Sequence, residues 1–222
     1  QAMCYVIIVI LFVYGWHCFS LGRGSVHCDG SAEAASYSNT PSALAIEEHH
    51  MENGFCQNCG KVDVPTKVDG WYEIASVGHL LWLRDEINVR HNSNMKIRQT
   101  ADLDLSCVCG PEKGSWESIG NYNARAEGLY YLYRSEYDGQ NHKISNLYIH
   151  EDAQGSFIGL FGNANESKIS NLILENAIVE TPNCTNVGAL VGNACYNTAA
   201  ISNIQVTGNG HVIGQSNVGG IV

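Results

Sequence analysis

Past residue 138 the apolar and polar positions of the chain recur in a fixed order. Ile144-Ser145-Asn146-Leu147 returns as Ile169-Ser170-Asn171-Leu172 and again as Ile201-Ser202-Asn203-Ile204, and a further apolar residue follows two positions on, at Ile149, Leu174 and Val206. A second block alternates with the first: Ile158-Gly159-Leu160-Phe161-Gly162, then Val187-Gly188-Ala189-Leu190-Val191-Gly192, then Val218-Gly219-Gly220-Ile221-Val222. The spacing of roughly 25 to 32 residues is that of a solenoid coil, whose units bury their apolar faces only by stacking on one another. Stacking places Ile on Ile, Leu on Leu and Asn on Asn. The pattern predicts an all-β chain folded as a right-handed parallel β-helix. Asn146, Asn171 and Asn203 are expected to form a hydrogen-bonded ladder, and Gly159, Gly162, Gly188, Gly192 and Gly219 to permit the bends between faces.

Ahead of the repeats the pattern changes once. Trp71-Tyr72-Glu73-Ile74 follows the turn pair Asp69-Gly70 and reads as a short strand. Ser76 is an N-cap for a helix carrying Leu80, Leu83 and Ile87 on one stripe, widened by Leu81, with Arg84, Asp85 and Glu86 expected in solvent. Met95 to Gln99 and Asp102 to Leu105 alternate as half-buried strands. The single amphipathic helix is therefore expected to cap the N-terminal end of the solenoid. The third copy of the repeat stops at Val222 with no polar cap, so further coils are expected beyond it.

The amino end is of another kind. Tyr5 to Tyr14 is an uninterrupted apolar run, shorter than the about 20 residues that span a bilayer, with small and polar residues after it and no basic residue before it. Residues 1–22 are read as a signal peptide or membrane segment, residues 23–48 as a linker rich in Ser, Ala and Gly, residues 49–66 as a small Cys-x-x-Cys module, and residues 67–222 as the β-helix, cut short at its C-terminus.

Composition narrows the function. Hydrophobic residues make up 45% and charged residues 15%, against about 25% charge in an average soluble domain, so polarity rests on Asn, Ser, Thr, Gly and Tyr. A net charge of -10 repels phosphate backbones, which excludes nucleic acid as a partner and leaves membrane contact to the N-terminal segment alone. Nine cysteines are many for a reducing compartment, and their odd number leaves at least one outside any internal disulfide set.

Candidate chemistry gathers in few places. Cys56-Gln57-Asn58-Cys59-Gly60 is a tight knuckle whose two thiolates suit zinc; His50 or His49 is a third ligand and Cys28 or His27 a fourth, with a Cys56–Cys59 disulfide as the alternative. Asp102 and Asp104 point to one side of a strand and are read as acceptors for backbone N–H groups rather than as a Ca2+ or acid/base pair. Glu136 and Asp138 are the carboxylates a carbohydrate-active β-helix would use, while Asp138-Gly139 also reads as a turn. Tyr130, Tyr131 and Tyr133 offer aromatic faces for stacking on sugars or packing against a partner, and packing on the solenoid wall is their alternative. Cys107 with Cys109, and Cys184 with Cys195, are candidate disulfides.

In sequence order, Trp71-Tyr72-Glu73-Ile74 with Ser76 and Leu80-Leu81, Ala101-Asp102-Leu103-Asp104-Leu105, Trp116-Glu117-Ser118-Ile119-Gly120, Tyr137 to Leu147 and Gly159-Leu160-Phe161-Gly162 resemble the GLUG-motif proteins of bacteria. The resemblance covers about residues 71 to 222, and Glu52 to Gly60 is similar to a Cys-pair module that often precedes such repeats. Cys107-Val108-Cys109 and the aromatic insertion Glu127 to Tyr133 depart from it. The resemblance implies an exported bacterial protein, secreted or held at the cell surface, and carries no catalytic residue. The expected function is a non-catalytic, adhesin-like binding or display module whose partners are glycans or surface proteins of host or neighbouring cells. The alternatives are a polysaccharide lyase or hydrolase, or the non-catalytic region of a larger surface peptidase.

Overall fold

A computed structural model describes residues 49–121, 132–195 and 199–222, without the side chain of Cys195. The expected segments at residues 1–22 and 23–48, the candidate ligands His27 and Cys28, and Tyr130 and Tyr131 lie outside the described residues. Two short strands, β1 (Met51–Glu52) and β2 (Phe55–Cys56), pair antiparallel across Asn53 and Gly54. Both turn residues have positive φ, 51° and 78°, the type I′ geometry that Asn-Gly favours. β3 (Lys67–Val68) pairs antiparallel with β4 (Trp71–Ile74), and then comes α1 (Val77–Asn88).

The helix starts where the sequence places it, because the Ser76 hydroxyl accepts the His79 N–H at 3.3 Å. Val77, Leu80, Leu83 and Ile87 face the core, joined by Trp82, whose ring lies 5.0 Å from that of Tyr72. Glu86 corrects the expectation of a solvated Arg84–Glu86 face. It is 7% exposed, and its carboxylate accepts from Arg90 and Asn92. The pairing is what makes burial of this charge tolerable.

The rest is strand: β5 (Lys96–Gln99), β6 (Leu103–Asp104), β7 (Glu136–Asp138), β8 (Lys143–Ser145), β9 (Tyr148–His150), β10 (Gly155–Ile158), β11 (Phe161–Asn165), β12 (Lys168–Glu175), β13 (Ile178–Gly188), β14 (Val191–Cys195), β15 (Ala200–Thr207) and β16 (His211–Gly219). The described chain is thus predominantly β, and apart from the β1–β2 and β3–β4 hairpins every strand pairing is parallel. β4, β5, β7, β12 and β15 succeed one another in one sheet, with β8 on the second half of β12 and β6 on β8; β9 and β10 pair with β13, which pairs with β16; β11 pairs with β14. After β7 the chain visits these three sheets in the same order on successive passes.

Packing follows from this register. Ile97, Tyr137, Ile169 and Ile201 stand in one row, Leu103, Ile144, Leu174 and Val206 in a second, and Ile149, Val179 and Val212 in a third. Most members of each row are fully buried, and the last pass is the exception, with Val206, Ile213 and Val218 each more than 40% exposed. Polar side chains among the described residues also enter this core, Gln99 and Thr181 most completely. Gln99 is 0% exposed and meets all its needs there, donating to the carbonyls of Ala101 and Lys143 at 2.8 Å and accepting from the Tyr137 hydroxyl at 3.0 Å.

The register also corrects the alignment of the first repeat. Ile144 pairs with Leu174 rather than with Ile169, and Ile169 pairs with Tyr137. Each pass has two corners close together, Asn171 and Asn176, both with φ of 54°. Asn146 belongs to the second corner and the Asn of the later copies, Asn171 and Asn203, to the first. An Ile-Ser-Asn pattern fits either corner, since both need an apolar residue inward and a residue that tolerates the left-handed region.

Candidate functional site

The corners carry columns of polar side chains. At the first, the Asn203 amide donates to the side-chain oxygens of Asn171 at 2.8 Å and Asn141 at 3.2 Å, and Asn171 donates to Asp138 at 2.9 Å. At the second, Asn146 donates to Asp104 at 2.8 Å, and the Asn176 side-chain oxygen accepts the Asn209 main-chain N–H at 3.0 Å. At a third, Asn217 donates to Asn186 at 2.9 Å and Asn186 to the Ser156 hydroxyl at 3.2 Å. A fourth link, Asn193 to Asn163 at 3.0 Å, runs beside β11 and β14. Asn146, Asn171 and Asn203 thus all take part in side-chain ladders, though in two columns.

The glycines of the second block stand where backbones converge. A Cβ on Gly192 would lie 2.3 Å from the Ile158 nitrogen and the Phe157 carbonyl carbon, and on Gly162 2.7 Å from the Gly120 oxygen. Gly159, Gly188 and Gly219 are similarly confined, with main-chain atoms at 2.7 Å, 2.3 Å and 1.8 Å from the added carbon. No side chain fits at these five positions without displacing backbone.

The carboxylates singled out in the sequence are engaged in holding passes together. Asp102 accepts the Lys143 N–H at 2.9 Å and contacts His142 at 3.1 Å, contacts that hold its carboxyl below the usual range. Asp104 accepts the Ser106 N–H at 2.9 Å beside the Asn146 amide. Although partial burial opposes it, Asp138 is also held low, by the Asn171 amide and by Gln140. Glu136 pairs with Lys168 at 3.1 Å. Glu180 sits between two imidazoles, 2.9 Å from His211 and 3.3 Å from His150, and its carboxyl is lowered by those contacts, His211 first.

Of the two readings of Tyr133, ligand stacking or packing on the wall, the structure shows packing. Its side chain is 0% exposed, with its ring 4.7 Å from that of Phe161, so the core rather than a ligand holds this aromatic face. Cys107, Cys109 and Cys184 are thiols, so the candidate Cys107–Cys109 disulfide is not formed, and burial pushes Cys109 up to about 11. Sequence reasoning also missed Asn88, a buried helix residue that donates to the Ser118 carbonyl at 2.9 Å and accepts the Gly120 N–H at 2.8 Å, tying α1 to the loop after β6. A polar residue at the end of an apolar stripe was its only signal.

At the knuckle, the Cys56 N–H donates to the Lys61 carbonyl and the Gly60 N–H to the Cys56 carbonyl, each at 2.8 Å, while the Gln57 N–H reaches the His50 carbonyl at 3.0 Å. Gly60 takes the left-handed φ of 76° that closes the turn. Cys56 is buried and Cys59 exposed. One ligand atom each of His49, Cys56 and Cys59 lies within 4.8 Å of the others. The third residue at this cluster is therefore His49, and His50, the other imidazole considered from the sequence, is not part of it.

No family model matches the chain, and no solved structure matches it. A similar protein is Halomucin of Haloquadratum walsbyi (strain DSM 16790 / HBSQ001), 30% identical over 154 residues, which cover 68% of this chain and 2% of Halomucin. The chain corresponds to a small part of that relative's length.

Proposed function

We propose that this chain is a non-catalytic binding and display module, a right-handed parallel β-helix secreted or held at a cell surface, whose stacked faces engage glycans or surface proteins of host or neighbouring cells. The observation that carries the proposal is the column of Asp138, Asn171 and Asn203. A side chain that returns after one pass to bond its equivalent makes a stiff rod with a repeating polar surface, which suits display better than turnover. Glu136 and Asp138, the carboxylates a lyase or hydrolase would need, are committed to Lys168 and Asn171. The likeness to a stretch of a protein named as a mucin supports placing the chain outside the cell.

The test is a glycan and mucin array probed with the purified chain, with soluble sugar products assayed on every polysaccharide that binds. Binding without products, unchanged in Glu136→Gln, is the expected result. Product release lost in Glu136→Gln would replace the proposal with a carbohydrate-active enzyme, and absence of binding to every glycan and mucin would remove the glycan partner.

A further inference from the structure

We propose that His49, Cys56 and Cys59 form a zinc site, a role separate from the binding reading above. The local fold prepares it. The type I′ turn at Asn53-Gly54 fixes the register of β1 on β2, Met51 opposite Cys56, and so brings the residues before β1 alongside the residues after β2. The His50 carbonyl, bonded to the Gln57 N–H, extends that pairing by one step. The knuckle then folds Cys59 back toward Cys56 through the bonds from Gly60 and to Lys61. The hairpin is anchored in turn: the Gly78 N–H donates to the Asn53 carbonyl at 2.8 Å, and a Cβ on Gly78 would lie 1.8 Å from the Gly54 oxygen. Cys56 and Cys59 are thus placed by a hydrogen-bonded backbone, and His49 directly precedes the last bonded residue of the hairpin.

The donor set selects the ion. Two thiolates and one imidazole are soft to borderline ligands that favour zinc over calcium or magnesium, which want oxygen. Bonds of about 2.3 Å to sulfur and about 2.0 Å to nitrogen in a tetrahedron put ligand atoms roughly 3.3–3.8 Å apart, and the three atoms already lie within 4.8 Å. Rotation of the half-buried His49 and the exposed Cys59 covers the difference. Cys56, at 1% exposure, supplies the fixed corner, and the open side at Cys59 leaves the fourth corner to another ligand.

The experiment is titration of the full, reduced and metal-stripped chain with Co2+, read as thiolate-to-cobalt charge transfer and tetrahedral ligand-field absorption, followed by displacement with Zn2+. One equivalent is expected to give both signals, and Zn2+ to abolish them. Cys56→Ser and Cys59→Ser are each expected to weaken binding and lower the charge-transfer intensity, and the double variant to abolish it. His49→Ala should weaken binding by at least about 100-fold, since loss of even an outer partner costs about 10- to 100-fold. His50→Ala should leave it unchanged. Charge transfer that survives in the Cys56→Ser/Cys59→Ser double variant, weakening by His50→Ala in place of His49→Ala, or no tetrahedral signal from the reduced chain would each overturn the proposal. Circular dichroism of every variant without metal separates lost ligation from lost folding.

Discussion

Replacing Asn171 by Ala isolates what a corner of the ladder contributes. Two losses add. Asn171 sits at φ 54°, where a residue with a Cβ and no local hydrogen bond of its own is disfavoured by about 1–2 kcal/mol. Its side chain also bridges two passes, donating to Asp138 at 2.9 Å and accepting from Asn203 at 2.8 Å. Such bonds contribute about 0.5–1.5 kcal/mol each, the one to a carboxylate more, and the half-buried position lets water recover part of that. The expected cost of Asn171→Ala is about 2–4 kcal/mol. Asn171→Gly loses the same bonds without the backbone strain and should be milder by about 1 kcal/mol.

The assay is equilibrium urea unfolding followed by tryptophan fluorescence and far-ultraviolet circular dichroism, whose coincidence tests whether the array unfolds as one unit. A cycle with Asn203→Ala should show coupling of about 0.5 kcal/mol or more, because the two side chains touch. Equal stability of the Ala and Gly variants would refute the backbone part of the reasoning. Both variants within about 0.5 kcal/mol of the parent would refute the ladder, since that is the scale of an unremarkable surface change.

Further outcomes are expected elsewhere. Gly192→Ala should destabilise by about 1–3 kcal/mol, because its Cβ would meet backbone and not a movable side chain; an unchanged melting temperature would show that the strands do not approach so closely. Tyr133→Phe should be neutral or stabilising by up to about 1 kcal/mol, since the buried hydroxyl has no hydrogen-bond partner among the described residues, and a clear loss in the same urea assay would reveal one. Asp138 has a depressed carboxyl in the folded chain, so the stability it confers is fully present above the unfolded value of about 3.9 and is lost as pH falls through the lower folded value. Asp138→Asn should therefore flatten the fall in stability as pH drops below the unfolded value of about 3.9, and profiles parallel to the parent would contradict this. Cys109 and Cys184, buried thiols raised by that burial, should resist alkylation at about pH 8 until the chain unfolds; peptide mapping that finds either labelled within minutes in the native protein would show the site is open.

The sequence by itself determined the local features whose physics lies within a few residues. The Ser76 cap and the stripe Val77, Leu80, Leu83, Ile87 make a helix in any context that buries them. Asn-Gly at 53 and 54 makes a type I′ hairpin, and Asn at each corner tolerates a backbone that few other residues accept. The confined glycines were legible for the same reason, as positions where the chain turns. What recurs over about 30 residues was legible only as recurrence. Which Asn stands above which depended on pairing: Ile144-Ser145-Asn146 and Ile169-Ser170-Asn171 are nearly identical, yet only the sheet register sends them to different corners. Glu86 reads as solvent-facing until Arg90 and Asn92 close over it. Tyr133 reads equally as an exposed stacking face or as a packed one until Phe161 is placed against it. His49 and His50 are adjacent in sequence and the pattern offers both; only the folded knuckle, which brings the His49 ring within 4.8 Å of the Cys56 and Cys59 sulfurs, selects one. In each case the deciding contact joins residues that the chain alone leaves far apart or equivalent, and only packing distinguishes them.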